Sequence, residues 1–141
     1  MRRVFRISPN LIHWRHIPEF YRFEGVKCTK CGKVYFPKKY ICPKCGFAGE
    51  LKPIKLSGLG KVVTYTTVYA GVPQLFEDQT PFILAVVELE EGPRVLSQVV
   101  DCNEEEIKIG LKVKMIIRKL YKDGDMGLVF YGYKFRPLYE E

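Results

Sequence analysis

Cys28-Thr29-Lys30-Cys31-Gly32 and Cys42-Pro43-Lys44-Cys45-Gly46 decide how this chain is read. Each segment sets two thiols three positions apart and follows them with glycine. A tight turn of that length points both sulfurs at one ion, and Gly32 or Gly46 lets the backbone return with positive φ beside the thiolates. The residues between them contain Val34-Tyr35-Phe36 and Tyr40-Ile41, which predict two short strands of a hairpin turning at Pro37-Lys38-Lys39. Knuckles at neighbouring hairpin ends bring four sulfurs into a closed tetrahedral site. The bland alternative is two disulfides or unbound thiols. Disulfides suit an exported chain, whereas this one begins Met-Arg-Arg-Val-Phe-Arg and carries a fifth, odd cysteine, Cys102. A metal held by Cys28, Cys31, Cys42 and Cys45 is the expectation. Sulfur ligation alone does not separate zinc from iron, and zinc is the choice made here. Such a closed site is structural.

The composition fits a compact chain. Of 141 residues, 47% are hydrophobic, enough for one domain or two small ones sharing an interface. No apolar run approaches the ~20 residues of a membrane span, and the cytoplasm is the expected location. Net charge is +7 and unevenly spread. Residues 1–60 hold 13 Lys and Arg against Glu19, Glu24 and Glu50; residues 61–141 hold 10 against 13 Asp and Glu. An anionic partner should therefore meet the N-terminal half, although a lysine-rich ribbon is also an ordinary solvated surface.

Three regions follow along the chain: an N-terminal helical segment (1–23), a ribbon (24–56) and a β domain (57–141). Ser8-Pro9 starts a helix over roughly 9–16, with Ser8 as N-cap and Pro9 at the first helical position. Pro18 interrupts it, leaving a further turn near Glu19–Tyr21. Ile7, Leu11, Trp14, Ile17, Phe20, Tyr21 and Phe23 are too many apolar groups for a free tail. His13 and His16 stand at helical spacing but are read as surface or packing residues, because the cysteines complete a site without them. Lys52–Gly60 is rich in turn formers and reads as the connector. Its Gly58-Leu59-Gly60-Lys61 lacks the full spacing of a phosphate loop. Strands are then predicted over 61–70, 82–90, 94–101, 111–122 and 126–135, with Ile83, Ala85, Val87 and Leu89 on one face and Val113, Met115 and Ile117 inward on another. A short helix is expected at Asn103–Glu106, ended by Gly110; Asp123-Gly124-Asp125 turns a hairpin, and Gly132 marks a bulge or bend. Five strands with a small helix between the third and fourth give the order of an OB-fold barrel. The connection 71–81 is the longest loop and the best candidate for outside contact.

Catalytic groupings are not evident. A nucleophile needs a base beside it, yet both histidines lie in the N-terminal segment, and Ser8, Ser57 and Ser97 occupy a cap, a linker and a strand. Cys102 ends a strand and reads as a small buried hydrophobe. Glu88, Glu90 and Glu91 suit a solvent face and Glu104–Glu106 a helix start. No enzyme activity is expected. Two binding classes remain. A zinc ribbon on an OB barrel is a common nucleic-acid recipe, with nine Tyr and nine Phe available for stacking; the acidic barrel half weighs against single-stranded nucleic acid. The other class is a scaffolding module for a protein or small anion.

Trp14-Arg-His-Ile-Pro-Glu-Phe-Tyr21-Arg22-Phe-Glu-Gly25-Val-Lys-Cys28, together with the knuckles, Gly60-Lys-Val, Tyr65-Thr, Pro81-Phe, Val87-Glu-Leu and Ile109-Gly-Leu-Lys-Val113, resembles the acyl-CoA-associated family with a rubredoxin-like zinc ribbon and an OB fold, formerly a domain of unknown function. The likeness spans nearly the whole chain and is strongest to archaeal members. It implies a non-catalytic bridge between acetoacetyl-CoA thiolase and hydroxymethylglutaryl-CoA synthase, at the entry to the mevalonate pathway. Coenzyme A or an acyl-CoA would be a shared ligand near the junction, and Trp14, Arg15, Tyr21 and Arg22 would lie at the partner or CoA contact. Other members accompany different thiolase-like enzymes or hydratases. Lys38, Lys39, Phe20 and Phe23 depart from the family pattern, which bears on partner identity and leaves the cysteines untouched.

Overall fold

The computed structural model describes residues 9–123 and 125–139. Ser8 and Ile7 of the expected cap and apolar set, and Gly124 of the expected turn, lie outside them. Two short helices, α1 (Pro9–Arg15) and α2 (Ile17–Phe20), precede a ribbon of β1 (Glu24–Cys28), β2 (Val34–Tyr35) and β3 (Leu51–Lys55). The break falls at His16, one residue before the Ile17-Pro18 start of α2, because Pro18 has no N–H to give to a continuing helix.

The ribbon is an antiparallel sheet ordered β2-β1-β3. This corrects the expected 34–36/40–41 hairpin. Val34 and Tyr35 pair with Lys27 and Val26 of β1 instead, since the first knuckle is itself the hairpin turn and Cys28 N–H donates to Lys33 O at 2.9 Å. Tyr40 and Ile41 are left exposed and form no strand. Lys52–Lys55 also differ from the expected connector: they pair with Glu24–Lys27 of β1. Pro53 is accommodated because β3 is an edge strand, where a missing N–H breaks no ladder.

Five further strands close a barrel: β4 (Leu59–Val68), β5 (Phe82–Leu89), β6 (Arg94–Val99), β7 (Lys112–Lys122) and β8 (Val129–Pro137), in the order β4-β5-β6-β8-β7. This is the OB order. Ile83, Ala85, Val87 and Leu89 are all buried, as the alternation requires. The expected helix at Asn103–Glu106 is a single turn. Glu106 accepts from the Asn103 N–H at 3.0 Å, Ile107 plunges into the core, and Gly110 follows at φ 87°, so no length remains for a helix. Ile117 is exposed rather than inward: β7 pairs with β4 only at 112–114 and beyond that with β8 alone, forming a two-stranded arm. The bulge falls on β7, between Lys119 and Tyr121. Gly132 makes room for it, because a Cβ there would sit 2.6 Å from Leu120 Cδ1.

Phe23 ties ribbon to barrel. It is 2% exposed and its ring meets Phe36 at 4.6 Å, Tyr133 at 5.2 Å and Phe135 at 6.1 Å. Its φ of 54° is a conformation most side chains avoid, and its carbonyl accepts from the Leu56 N–H at 3.1 Å. Packing therefore holds it against its backbone preference. Replacing Phe23 by Ala should cost about 3–5 kcal/mol in chemical denaturation; a loss under about 1 kcal/mol would show that the two sheets are not coupled through this ring.

Candidate metal centre and exposed helical face

β1 delivers Cys28 to the first knuckle, and the turn closes with Gly32 N–H on Cys28 O at 2.9 Å. The second knuckle repeats it with Gly46 N–H on Cys42 O at 2.8 Å. Gly32 and Gly46 adopt φ of 71° and 60°, the left-handed conformation expected of them. The four Sγ atoms of Cys28, Cys31, Cys42 and Cys45 lie within 4.8 Å of one another, with Cys31 and Cys42 at 3.7 Å. Tetrahedral zinc with bonds of about 2.3 Å needs sulfurs about 3.8 Å apart. Donor set and spacing fit zinc, and four sulfurs leave no place for a substrate. Cys28 and Cys42 are fully buried.

Two neighbours complete the site, and neither was singled out from sequence. Tyr35 sets its hydroxyl 3.5 Å from Cys42 Sγ. That hydrogen bond holds the Cys42 thiol down at about 6 and raises the phenol above its ordinary value. Burial pushes Cys45 the other way, up to about 12. Thiolates must form for a metal to bind, so a donor beside Cys42 favours the ligating form. The other neighbour is Gly49, buried against the cluster. A Cβ there would lie 2.8 Å from both Cys28 Sγ and Cys45 Cβ. The only sequence signal was a second glycine soon after Cys45.

His13 and His16 take no part. His13 stacks on Phe20 at 5.2 Å and meets the edge of Phe130 at 4.7 Å; burial, then the charge of His16, lowers its pKa. It is the rivet between α1 and the β7–β8 arm. The opposite side of α1 is bare: Leu11, Ile12 and Trp14 are 60%, 46% and 68% exposed. Trp14 and Arg15 end that helix. Tyr21 and Arg22 follow α2 and are also exposed, Tyr21 lying 3.4 Å from His13 Nε2 and Arg22 pairing with Glu24 at 3.2 Å. The Tyr21 ring also meets that of His13 at 5.9 Å, so the residues after α2 reach back to α1 beside Trp14.

The remaining candidates have ordinary roles. Cys102 Sγ donates to Asn103 O at 3.4 Å, and burial, then Glu106, raises its pKa, which disfavours a nucleophilic thiolate. Glu88 pairs with Arg94 at 2.9 Å and Lys61 at 3.6 Å, and the Arg94 hydrogen bond holds its carboxyl below the usual range. The 71–81 loop contains a short 3₁₀ helix, Gln74–Gln79, whose Phe76 meets Tyr121 of the arm at 6.0 Å. No helix among the described residues is long and apolar enough to cross a membrane.

Closed barrel, sulfur site and helical lead together define a zinc-ribbon protein with an OB-fold domain. The chain belongs to the DUF35 family. Residues 18–51 match the family model for the rubredoxin-like zinc ribbon domain of ChsH2, and residues 54–118 that for the ChsH2 C-terminal OB-fold domain. A DUF35 domain-containing scaffold protein of Methanocaldococcus jannaschii is 50% identical over 125 residues, covering 89% of this chain and 88% of that one. Benzoylsuccinyl-CoA thiolase subunit BbsA of Thauera aromatica is 27% identical over 122 residues, covering 82% and 76%. A solved structure described as Ltp2-ChsH2(DUF35) aldolase superposes with a TM-score of 0.67 at 26% identity, covering 91% of this chain and 93% of that chain.

Purified protein should contain one zinc per chain. Gly49→Ala should lower zinc occupancy while leaving all four cysteines in place, because the added methyl displaces Cys28 Sγ. Metal analysis by atomic emission checks both; full occupancy in the variant would contradict the tight cradle.

Proposed function

We propose that this chain is a non-catalytic scaffold for acyl-CoA enzymes, with α1 as a docking face and one structural zinc on Cys28, Cys31, Cys42 and Cys45. The finer reading is a bridge between acetoacetyl-CoA thiolase and hydroxymethylglutaryl-CoA synthase, at the entry to the mevalonate pathway, with CoA or an acyl-CoA near the contact. One observation carries the docking proposal. A helix riveted to the barrel by His13 turns Leu11, Ile12 and Trp14 outward, and aromatic groups on a pre-ordered element are what interface centres favour. Arg15, Tyr21 and Arg22 would border the contact. The scaffold names of the relatives, and the thiolase subunit and aldolase partner among them, support enzymes of acyl-CoA metabolism as the partner class.

The test is co-elution with candidate thiolase and synthase in size-exclusion chromatography, at low and raised salt, beside a labelled single-stranded oligonucleotide. A complex that persists in salt is expected with the enzymes. Trp14→Ala should weaken it by at least about 2 kcal/mol if Trp14 is a hot spot, with zinc content and melting temperature unchanged because the side chain is exposed. Oligonucleotide binding that falls steeply with salt, without an enzyme complex, would favour the nucleic-acid class instead.

A further inference from the structure

Lys134 lies on β8 with only 6% of its surface exposed. Among the described residues its ammonium makes one hydrogen bond, to Gln79 Oε1 at 3.0 Å, and no ion pair. Gln79 is itself fixed by its Nε2 donating to Leu120 O. A buried ammonium without a carboxylate is costly. Burial, then the charges of Arg118 and Lys119, pulls the Lys134 pKa below the lysine value.

Two cavities share Lys134 as a wall. The first, of about 460 Å³, is bordered by Asp101 and Glu104, yet both acids are engaged: Asp101 with Arg118 at 3.1 Å and Glu104 with the Tyr69 hydroxyl. The second, of about 420 Å³, is an apolar groove between α2, the 71–81 loop and the barrel, walled by Phe20, Val72, Phe76, Leu84 and Leu96. Its described lining includes one cation, Lys134, and no carboxylate.

We propose that this groove binds a carboxylate carried on an apolar body, as in a medium-chain carboxylic acid, with Lys134 as the counter-charge. The carboxylate supplies the partner that the fold withholds, and the walls reward a tail that leaves water. The loop singled out as the longest connection forms one side of it. This site is independent of the α1 docking face.

Octanoate, octanol and acetate are suitable probes for titration of the zinc-loaded full chain, followed by amide chemical shifts. Octanoate should bind at least tenfold more tightly than octanol, which lacks the charge, and than acetate, which lacks the tail. Its shifts should cluster at Phe20, Val72, Phe76 and Leu96. Lys134→Met should reduce octanoate to the level of octanol. Leu96→Asp places a repelling charge at a rim position that is 62% exposed; it should also weaken octanoate and leaves the core untouched. Equal binding of octanoate and octanol, an unchanged preference in Lys134→Met, or no saturable octanoate binding at low millimolar concentration would overturn the proposal.

Discussion

Metal–sulfur bonding is the interaction on which the N-terminal half depends. The ribbon has three strands, one of them only two residues long, the smallest sheet that can stand with a hydrophobic face of its own. Inside its knuckles the buried side chains are sulfurs rather than hydrocarbons, since Cys28 and Cys42 are fully buried while Tyr40 and Phe47 stand almost wholly in solvent. A structural zinc can contribute on the order of 10–16 kcal/mol of apparent binding free energy. That equals the burial of several large apolar side chains at about 1.5–3 kcal/mol each, and the knuckles themselves bury none.

The barrel stands on different terms. Its core of Val62, Ile83, Val87, Val95, Val113 and Phe135 is apolar and continuous. Phe23, Phe36 and Leu56 extend that core to the base of the ribbon. The metal thus orders the knuckles, the Phe23 cluster fixes the ribbon on the barrel, and His13 with Phe130 fixes α1 on the β7–β8 arm. The bare apolar helix is thereby held in a defined place, which would lower the entropy cost of the docking proposed for it.

Spacing and alternation made most of this legible. Two CxxCG segments have few structural uses, and Ile83, Ala85, Val87 and Leu89 fall on one face at strand period, the face that is buried. In each misreading a local pattern was outweighed by a competing turn, strand partner or buried neighbour. Tyr35 went to β1 rather than to Ile41 because the knuckle already supplied the turn. Lys52–Lys55 looked like a connector, but β1 needed a second neighbour. Asn103–Glu106 carried a helix start that Ile107 and Gly110 curtailed. Lys134 gave no signal, since a lone lysine in an alternating strand reads as solvent-facing, and its hydrogen bond to Gln79 joins residues 55 positions apart. Gly49 gave only the faint signal of a further glycine after Cys45, because its closeness to Cys28 arises from the second knuckle folding back on the first.

Hydrogen exchange of the intact chain, with zinc bound and after its removal by a chelator under reducing conditions, tests most directly whether the metal orders the ribbon while apolar burial orders the barrel. Removal should abolish protection of ribbon amides such as Cys28, which donates to Lys33 O, and of the β1 pairs with β2 and β3. Amides of the barrel strands at Val62, Val87 and Val113 should stay protected. Ribbon protection that survives zinc removal, or protection lost equally from ribbon and barrel, would contradict that division.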